Sequence, residues 1–186
     1  MKPMVVGDSS AGVHIRPIVL SDLDACRRLD GSVVSEYVWN MQQSTQRGDV
    51  SVLFSQVRLP RSLEVAYPAA RDDLVIRLDR GDLMLIAEDT EPVGWISFSY
   101  DAGRGLGTVD HLIVTPERRR MGVGTELMRQ AVDHARRLRA RVVLTSCLAK
   151  NGPAVAFFRH LGMEFCGYNE HLYSEHEIAL LFAYRL

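Results

Sequence analysis

The chain has 186 residues, of which 47% are hydrophobic, 24% charged and 8% aromatic. This composition is typical of a globular protein with one sizeable core, and one domain is the default expectation at this length. The 22 Lys and Arg and the 23 Asp and Glu give a formal net charge of −1. This balance excludes binding of nucleic acid or of an acidic membrane through overall charge.

The three cysteines, Cys26, Cys147 and Cys166, are widely spaced and include no C-x-x-C pair. Reduced thiols in a cytoplasmic protein are therefore expected, and no metal site is predicted. Residues 1–12 are expected to be a loose leader, not a secretory signal, and residues 13–186 a single domain. No apolar stretch approaches the roughly 18 residues that a membrane span needs.

Apolar periodicity and capping signals predict one strand and then several helices in the first part of the chain. The strand covers residues 13–18, and the helices cover residues 21–30, the region around 50–57, and 69–78. The pattern is least clear between residues 31 and 79, where prolines interrupt it.

The second part of the chain has clearer patterns. Strands are predicted at residues 83–87, 93–100, 108–114, 141–147, 164–168 and 177–185. A strongly periodic helix has its apolar face between Leu127 and Leu138, and a second helix is predicted over residues 153–161. This order mixes hairpins with two helical crossovers, and a crossover requires a parallel strand pair. We therefore expect an α/β (α+β) fold whose mixed, mostly antiparallel sheet has about six to seven strands and flanking helices.

The most informative segment, residues 114–125, lies between a predicted strand and the most strongly periodic helix. A helix N-terminus has unpaired N–H groups and partial positive charge, so it can hold a phosphate. Gly122 and Gly124 leave room for a ligand there, and three arginines precede them. An arginine run alone is more often a solvated surface, so the glycines and the helix start carry the prediction. The segment matches neither a Walker loop nor a dinucleotide fingerprint.

The segment does contain the motif R-x-x-G-x-G, at Arg119, Gly122 and Gly124. The motif follows a strand that ends in L-x-V, at Leu112 and Val114. This resembles the signature of the GCN5-related N-acetyltransferase (GNAT) family. The resemblance implies the GNAT fold, in which two strands diverge at a bulge. The acetyl-pantetheine arm of acetyl-CoA then lies in the cleft between them, held by backbone hydrogen bonds.

A later segment agrees in order. Asn151, Ala154, Phe157 and Phe158, followed by Leu-Gly-Met, look like the family's N-x-x-A-x-x-F-Y…L-G-F segment beside the cofactor thiol. The resemblance thus implies acetyl-CoA as cofactor. The residues that it assigns to cofactor binding are Leu112, Ile113, Val114, Arg118, Arg119, Arg120, Met121, Gly122, Val123, Gly124, Thr125, Asn151, Ala154, Phe157 and Phe158.

Val109-Asp110-His111-Leu112 and the tail over residues 171–180 are similar to those of streptothricin acetyltransferases. This likeness implies acetyl transfer to a primary amine of a small cationic molecule, such as a streptothricin-like antibiotic. Two alternatives stay open: acetylation of a protein N-terminus, a lysine or a polyamine, and a catalytically idle acyl-CoA-binding module. The expected partner is the small amine, without nucleic acid or membrane, and a homodimer is compatible with the sequence.

Attack of an amine on a thioester requires the neutral amine, so a base is needed. The resemblance assigns this role to Asp110. His111 ranks second, because it would point to the opposite face of a regular strand, and Glu36 ranks third. Glu36, Tyr37 and Trp39 are candidates for the acceptor pocket.

The departing thiolate receives its proton from the Tyr of F-Y in the family, but here Phe158 has no proton to give. General acid catalysis typically contributes about 10²- to 10⁴-fold. Three outcomes follow: water protonates the thiolate, another phenol such as Tyr168 or Tyr173 replaces the missing one, or turnover is weak. We expect replacement or water, because a thiolate leaves tolerably well without a proton.

Overall fold

The structure is a computed structural model that describes residues 12–68, 73–173 and 177–186. Its strands, numbered in chain order, are β1 His14–Pro17, β2 Val33–Gln46, β3 Asp49–Val65, β4 Leu83–Glu88, β5 Pro92–Asp101, β6 Leu106–Val114, β7 Val142–Leu148, β8 Glu164–Asn169 and β9 Ala179–Arg185. Seven of them form one sheet in the order β1-β4-β5-β6-β7-β9-β8. All neighbours in it are antiparallel except β6 and β7. The predicted mixed, mostly antiparallel sheet is confirmed.

Helices cover both faces of this sheet. They are α1 Leu23–Arg28, α2 Leu74–Asp79, α3 Val123–Arg137 and α4 Gly152–His160. The apolar stripes of α3 and α4 pack on one face, where Leu127 and Phe158 are buried. On the other face, Leu23 and Leu74 of α1 and α2 pack around the buried Trp95. No helix in the described residues is long and apolar enough to cross a membrane.

The hairpin of β2 and β3 forms a separate two-stranded sheet. The helix predicted around residues 50–57 is therefore wrong, because those residues belong to β3. The chain reverses at Arg47 and Gly48, whose φ angles of 52° and 91° suit a two-residue hairpin turn. Arg-Gly is not the usual Asn-Gly or Asp-Gly turn signal, and Pro60 is unusual inside a strand. The sequence pattern therefore concealed this hairpin.

Helix boundaries also differ from the predicted ones. The helix predicted over residues 21–30 is shorter and follows a 3-10 turn at Leu20–Asp22. The helix predicted over residues 69–78 is found as α2, while residues 69–72 lie outside the described part of the chain. Residues 1–11 of the expected leader lie outside it as well.

The β2–β3 hairpin is attached to the body of the protein through Ser35, which is fully buried. Its Oγ accepts a hydrogen bond from the Gly152 N–H at 3.0 Å and donates one to the Tyr37 carbonyl at 2.6 Å. A Cβ at Gly152 would lie 2.8 Å from both of these oxygens. Only glycine therefore lets β2 approach the start of α4 this closely.

Replacing Ser35 with Ala is expected to lower the free energy of unfolding by about 1–3 kcal/mol, because a buried N–H and a buried carbonyl lose their partner. At this chain length each kcal/mol corresponds to roughly 2–4 °C in Tm. Ser32→Ala is the matched control, since the exposed Ser32 hydroxyl bonds only Asp30 in the described residues. Thermal melting followed by circular dichroism measures both, and equal Tm values would contradict the attachment.

Candidate active site

The parallel strands β6 and β7 separate halfway along β6. They pair only from Leu106 opposite Val142 to Val109 opposite Thr145. On its other edge, β6 changes register against β5 and leaves Asp110 as the extra residue of a bulge. A bulge bends its strand and increases its twist. The predicted divergence is thus confirmed, and past Val109 the β6 edge that faces the gap no longer pairs with β7.

A cleft of about 750 Å³ opens where the strands part. It is bounded by the end of β6, by the loop that leads into α3, and by α4. The predicted cofactor residues that line it are Leu112, Ile113, Val114, Arg119, Arg120, Met121, Gly122, Gly124, Thr125, Asn151, Ala154, Phe157 and Phe158. Two others do not line it: Val123, the first residue of α3, is buried, and Arg118 is ion-paired with Asp89.

The N-terminus of α3 opens into this cleft. Gly122 is the N-cap residue with φ of 84°, and no side chain caps the helix. A Cβ at Gly122 would have no atom within 4 Å, so the residue borders open space. The first-turn N–H groups and the partial positive charge of the helix start are therefore available to an anion.

The three arginines before this helix have different partners. Arg118 pairs with Asp89, and the Arg119 Nε donates to the Val114 carbonyl at 2.8 Å. Burial lowers the pKa of Arg119 from its ordinary value. Arg120 is exposed, lines the cleft and forms no ion pair with any described residue. Two of the arginines thus hold the loop in place, and the third is the cation left for a ligand.

The second predicted segment forms the opposite wall of the cleft. The Asn151 side chain caps α4 by accepting a hydrogen bond from the Ala154 N–H at 2.9 Å. Phe158 is 5% exposed, and its ring centroid lies 5.6 Å from those of both Phe157 and Phe182. Asn151 thus sets where α4 begins, and Phe158 presents only carbon to the cleft.

Asp110 and His111 face the same side of the sheet, which corrects the expectation for a regular strand. The Asp110 carboxylate is ion-paired with Arg77 of α2 at 2.7 Å, and the His111 Nδ1 lies 3.1 Å from the Tyr67 hydroxyl. The bulge at Asp110 breaks the alternation of side chains. Burial raises the pKa of Asp110, against the opposing effects of Ser99 and Arg77.

The predicted acceptor residues lie on β2 and do not line the cleft. Glu36 and Tyr37 are exposed. Trp39 is partly buried, and the guanidinium of Arg159 lies 5.7 Å from the centre of its ring. The structure therefore places these three residues outside the cleft, and Trp39 contacts α4.

The two tyrosines considered as proton donors lie in different places. Tyr168 is on β8, two strands from β7, and its ring packs on Phe54 at 5.4 Å. The Tyr173 hydroxyl is 2.8 Å from Ser146 Oγ on β7, and burial raises the pKa of Tyr173. Neither tyrosine is among the residues that line the cleft.

Sequence reasoning missed Tyr67, which lines the cleft and contacts His111. In the sequence, Tyr67-Pro68 reads only as a turn signal. The partner is 44 residues further along the chain, so no local pattern could connect the two residues.

Known proteins resemble this chain in sequence. Residues 53–163, more than half of the chain, match the family described as Acetyltransferase (GNAT) family. Streptothricin acetyltransferase of Streptomyces lavendulae is 33% identical over 106 residues, which are 55% of this chain and 56% of that protein. The match thus spans little more than half the length of that curated relative.

Solved structures resemble the whole fold. A crystal structure of nourseothricin acetyltransferase has a TM-score of 0.81 and 26% identity, and the match covers 94% of this chain and 99% of that one. A crystal structure from Bacillus anthracis str. Ames, in complex with acetyl coenzyme A, has a TM-score of 0.72 and 18% identity, with coverage of 96% and 99%. At that identity the second likeness concerns the fold alone. The region matched by the family includes the diverging strands β6 and β7 and the glycine loop between them. The chain therefore belongs to the acetyltransferase (GNAT) family.

Proposed function

We propose that this protein transfers an acetyl group from acetyl-CoA to a primary amine of a small cationic molecule, with a streptothricin-like antibiotic as the acceptor. The observation that carries the proposal is the gap between β6 and β7, which opens onto the uncapped start of α3. The names of the relatives, a streptothricin and a nourseothricin acetyltransferase, support this acceptor.

Two features of the cleft fit acetyl-CoA. The edge of β6 at Leu112 and Val114 offers main-chain groups that can pair with an extended pantetheine arm, as they would with another strand. Gly122 and the first turn of α3 offer N–H groups to the pyrophosphate, and Arg120 adds a cation. Bound there, acetyl-CoA supplies the thioester carbonyl that the amine attacks.

Asp110 is the proposed base that takes the proton from the attacking amine. It lies at the bulge where β6 leaves β7, and its side chain is 19% exposed. Because burial raises its pKa, Asp110 is a stronger base than an ordinary surface carboxylate. Arg77 and Ser99 hold the carboxylate in position from α2 and β5.

We also propose that the reaction takes place in the cytoplasm. The cysteines in the described residues, Cys26, Cys147 and Cys166, form no disulfide. Free thiols are the usual state in a reducing compartment.

Release of free thiol from acetyl-CoA tests the function. In parallel reactions, the purified protein is given acetyl-CoA and one amine, which is streptothricin, spermidine or a lysine-containing peptide. We expect the highest kcat/KM with streptothricin. Preference for the peptide or the polyamine would overturn the proposed acceptor. Binding of coenzyme A without turnover of any amine would identify an idle binding module, which the phenylalanine at position 158 makes a specific alternative.

A further inference from the structure

We propose that Tyr67 is the residue that protonates the departing thiolate, with His111 and Asp73 as positioning residues that supply and hold its proton. This inference rests on the proposed acetyl transfer. It names a proton donor for the thiolate in a chain whose residue at the usual donor position, Phe158, has no proton to give. Tyr67 follows β3, His111 lies in β6 and Asp73 precedes α2. The sequence separates them, and the fold brings them together.

Tyr67 lines the cleft that is proposed to hold the thioester. Tyr67 is the one tyrosine among the described residues that line the cleft. Phe158, at the family position for the donor, borders the same cleft without a proton to give. Tyr168 and Tyr173 lie outside it. The cleft therefore offers one phenol as a proton donor.

Hydrogen-bond geometry connects Tyr67 to a buried imidazole. The Tyr67 hydroxyl is 3.1 Å from the His111 Nδ1, and the His111 side chain is 3% exposed. The His111 Nε2 lies 3.9 Å from the Asp73 Oδ1. That oxygen is buried and has no hydrogen-bond partner in the described residues, so the imidazole and the carboxylate are at ion-pair distance without a hydrogen bond.

The three groups are held in place from several sides. The Asp73 Oδ2 accepts a hydrogen bond from the Arg77 Nε at 2.6 Å, which leaves Oδ1 for His111. The Trp95 ring lies 5.1 Å from the His111 ring. A Cβ at Gly31 would come within 2.8 Å of the Tyr67 ring. Tyr67 thus has little freedom to turn away from the imidazole.

The proposed step balances its protons. The amine nitrogen bonds to the carbonyl carbon, the C–S bond breaks, and its electron pair stays on sulfur. The Tyr67 O–H proton passes to sulfur, and the Nδ1–H of protonated His111 replaces it on the Tyr67 oxygen. Asp110 accepts the proton that the amine loses and releases it to solvent, from which His111 is protonated again. No further reactant is needed.

The imidazole behind the phenol gives this transfer a favourable direction. A phenol ordinarily has a pKa of about 10 and a thiol about 8.5, so a phenol alone would lose its proton uphill. An imidazolium ordinarily has a pKa of about 6.5. By these ordinary values, the net transfer from imidazolium to thiolate is downhill.

Turnover in this scheme requires protonated His111, so kcat falls as the pH rises through the His111 pKa. Several titratable or charged groups surround His111. In the described residues, Asp73 before α2 and Tyr67 after β3 lie against the ring, Arg77 of α2 pairs with Asp73, and Asp110 is the neighbouring residue of β6. Among the carboxylates of the described residues, that of Asp73 lies within 4 Å of an imidazole nitrogen. Removing its charge disfavours the imidazolium and moves the fall in kcat to lower pH.

The experiment measures kcat and the KM for acetyl-CoA as a function of pH in the wild type and in the Tyr67→Phe and Asp73→Asn variants. The acceptor is the amine that gives the highest kcat/KM in the thiol-release assay. We expect Tyr67→Phe to lower kcat about 100-fold and to change the KM for acetyl-CoA by less than about twofold. Asp73→Asn should shift the falling limb of the pH profile to lower pH. Tyr100→Phe is the matched control, because its hydroxyl bonds only the Leu138 carbonyl in the described residues, and its kcat should equal that of the wild type.

A Tyr67→Phe enzyme with wild-type kcat would overturn the inference, and so would loss of turnover on Tyr173→Phe with Tyr67→Phe unaffected. If Tyr67→Phe fails to fold, the pH profile of Asp73→Asn decides, and an unshifted limb counts against the proposal. A wild type that binds coenzyme A and acetylates no amine refutes the proposed function. That result differs from an active enzyme that is indifferent to Tyr67.

Discussion

Gly122→Val is expected to weaken the binding of coenzyme A by about 100-fold or more while the protein stays folded. Valine would project into the open space at the start of α3, where no atom lies within 4 Å of a Cβ. The N–H groups there would then be screened from the pyrophosphate. Hydrogen bonds to charged groups contribute about 1.5–3 kcal/mol each, and 1.4 kcal/mol corresponds to a tenfold change in affinity. Loss of two such bonds accounts for the expected effect.

Gly162→Val is the matched control for this experiment. Gly162 has φ of 80°, close to the 84° of Gly122, and a Cβ at either position would have no atom within 4 Å. Gly162 follows α4 and does not line the cleft. A left-handed non-glycine residue costs roughly 1–2 kcal/mol, so both variants should melt a few degrees lower. Titration calorimetry with coenzyme A separates them, and equal affinities would refute the phosphate site.

The second large effect concerns turnover and not binding. Asp110→Asn is expected to reduce kcat about 10²- to 10⁴-fold, the usual contribution of a general base, while the affinity for coenzyme A stays within about twofold. A base must be deprotonated, and burial raises the pKa of Asp110. The kcat of the wild type should therefore rise with pH over a range above that of an exposed carboxylate, and Asp110→Asn should lose this limb.

Asp82→Asn is the matched control, because it also removes one negative charge from the ion-pair cluster that Arg77 forms with Asp82 and Asp110. Its carboxylate is 12% exposed and lies 3.7 Å from the Arg77 guanidinium that also pairs with Asp110. The charge of Asp82 raises the pKa of Asp110, so this variant should move the rising limb to lower pH and keep the maximal kcat. Steady-state rates between pH 5 and 9 test both variants. Wild-type turnover in Asp110→Asn would remove this carboxylate from the mechanism.

The bulge at Asp110 links these expectations to the fold. Without it, Asp110 and His111 would lie on opposite faces of β6, and only one of them could face α2. With it, the proposed base and the imidazole behind Tyr67 lie on one side, where β6 leaves β7. A single irregular residue thus lies where β6 leaves β7 and directs both side chains toward the α2 side of the sheet.

The sequence by itself determined the glycine loop that is proposed to bind the cofactor and the elements beside it. The apolar stripe of α3, the glycine at its start and the strand before it are local patterns, since each depends on residues a few positions apart. These patterns also predicted a mixed sheet with at least one parallel strand pair. The capping residue Asn151 and the wall at Phe158 are local in the same way.

Only the tertiary structure decided the β2–β3 hairpin, the different partners of Arg118 and Arg119, and the contact of Tyr67 with His111. Each of these depends on strand register or on contacts between segments distant in the chain, and side-chain periodicity does not encode them. The bulge belongs to this group as well, because alternation along β6 predicts a regular strand and the pairing with β5 makes it irregular. Local propensity thus placed the loop proposed to bind phosphate, whereas long-range packing assembled the groups proposed to move protons.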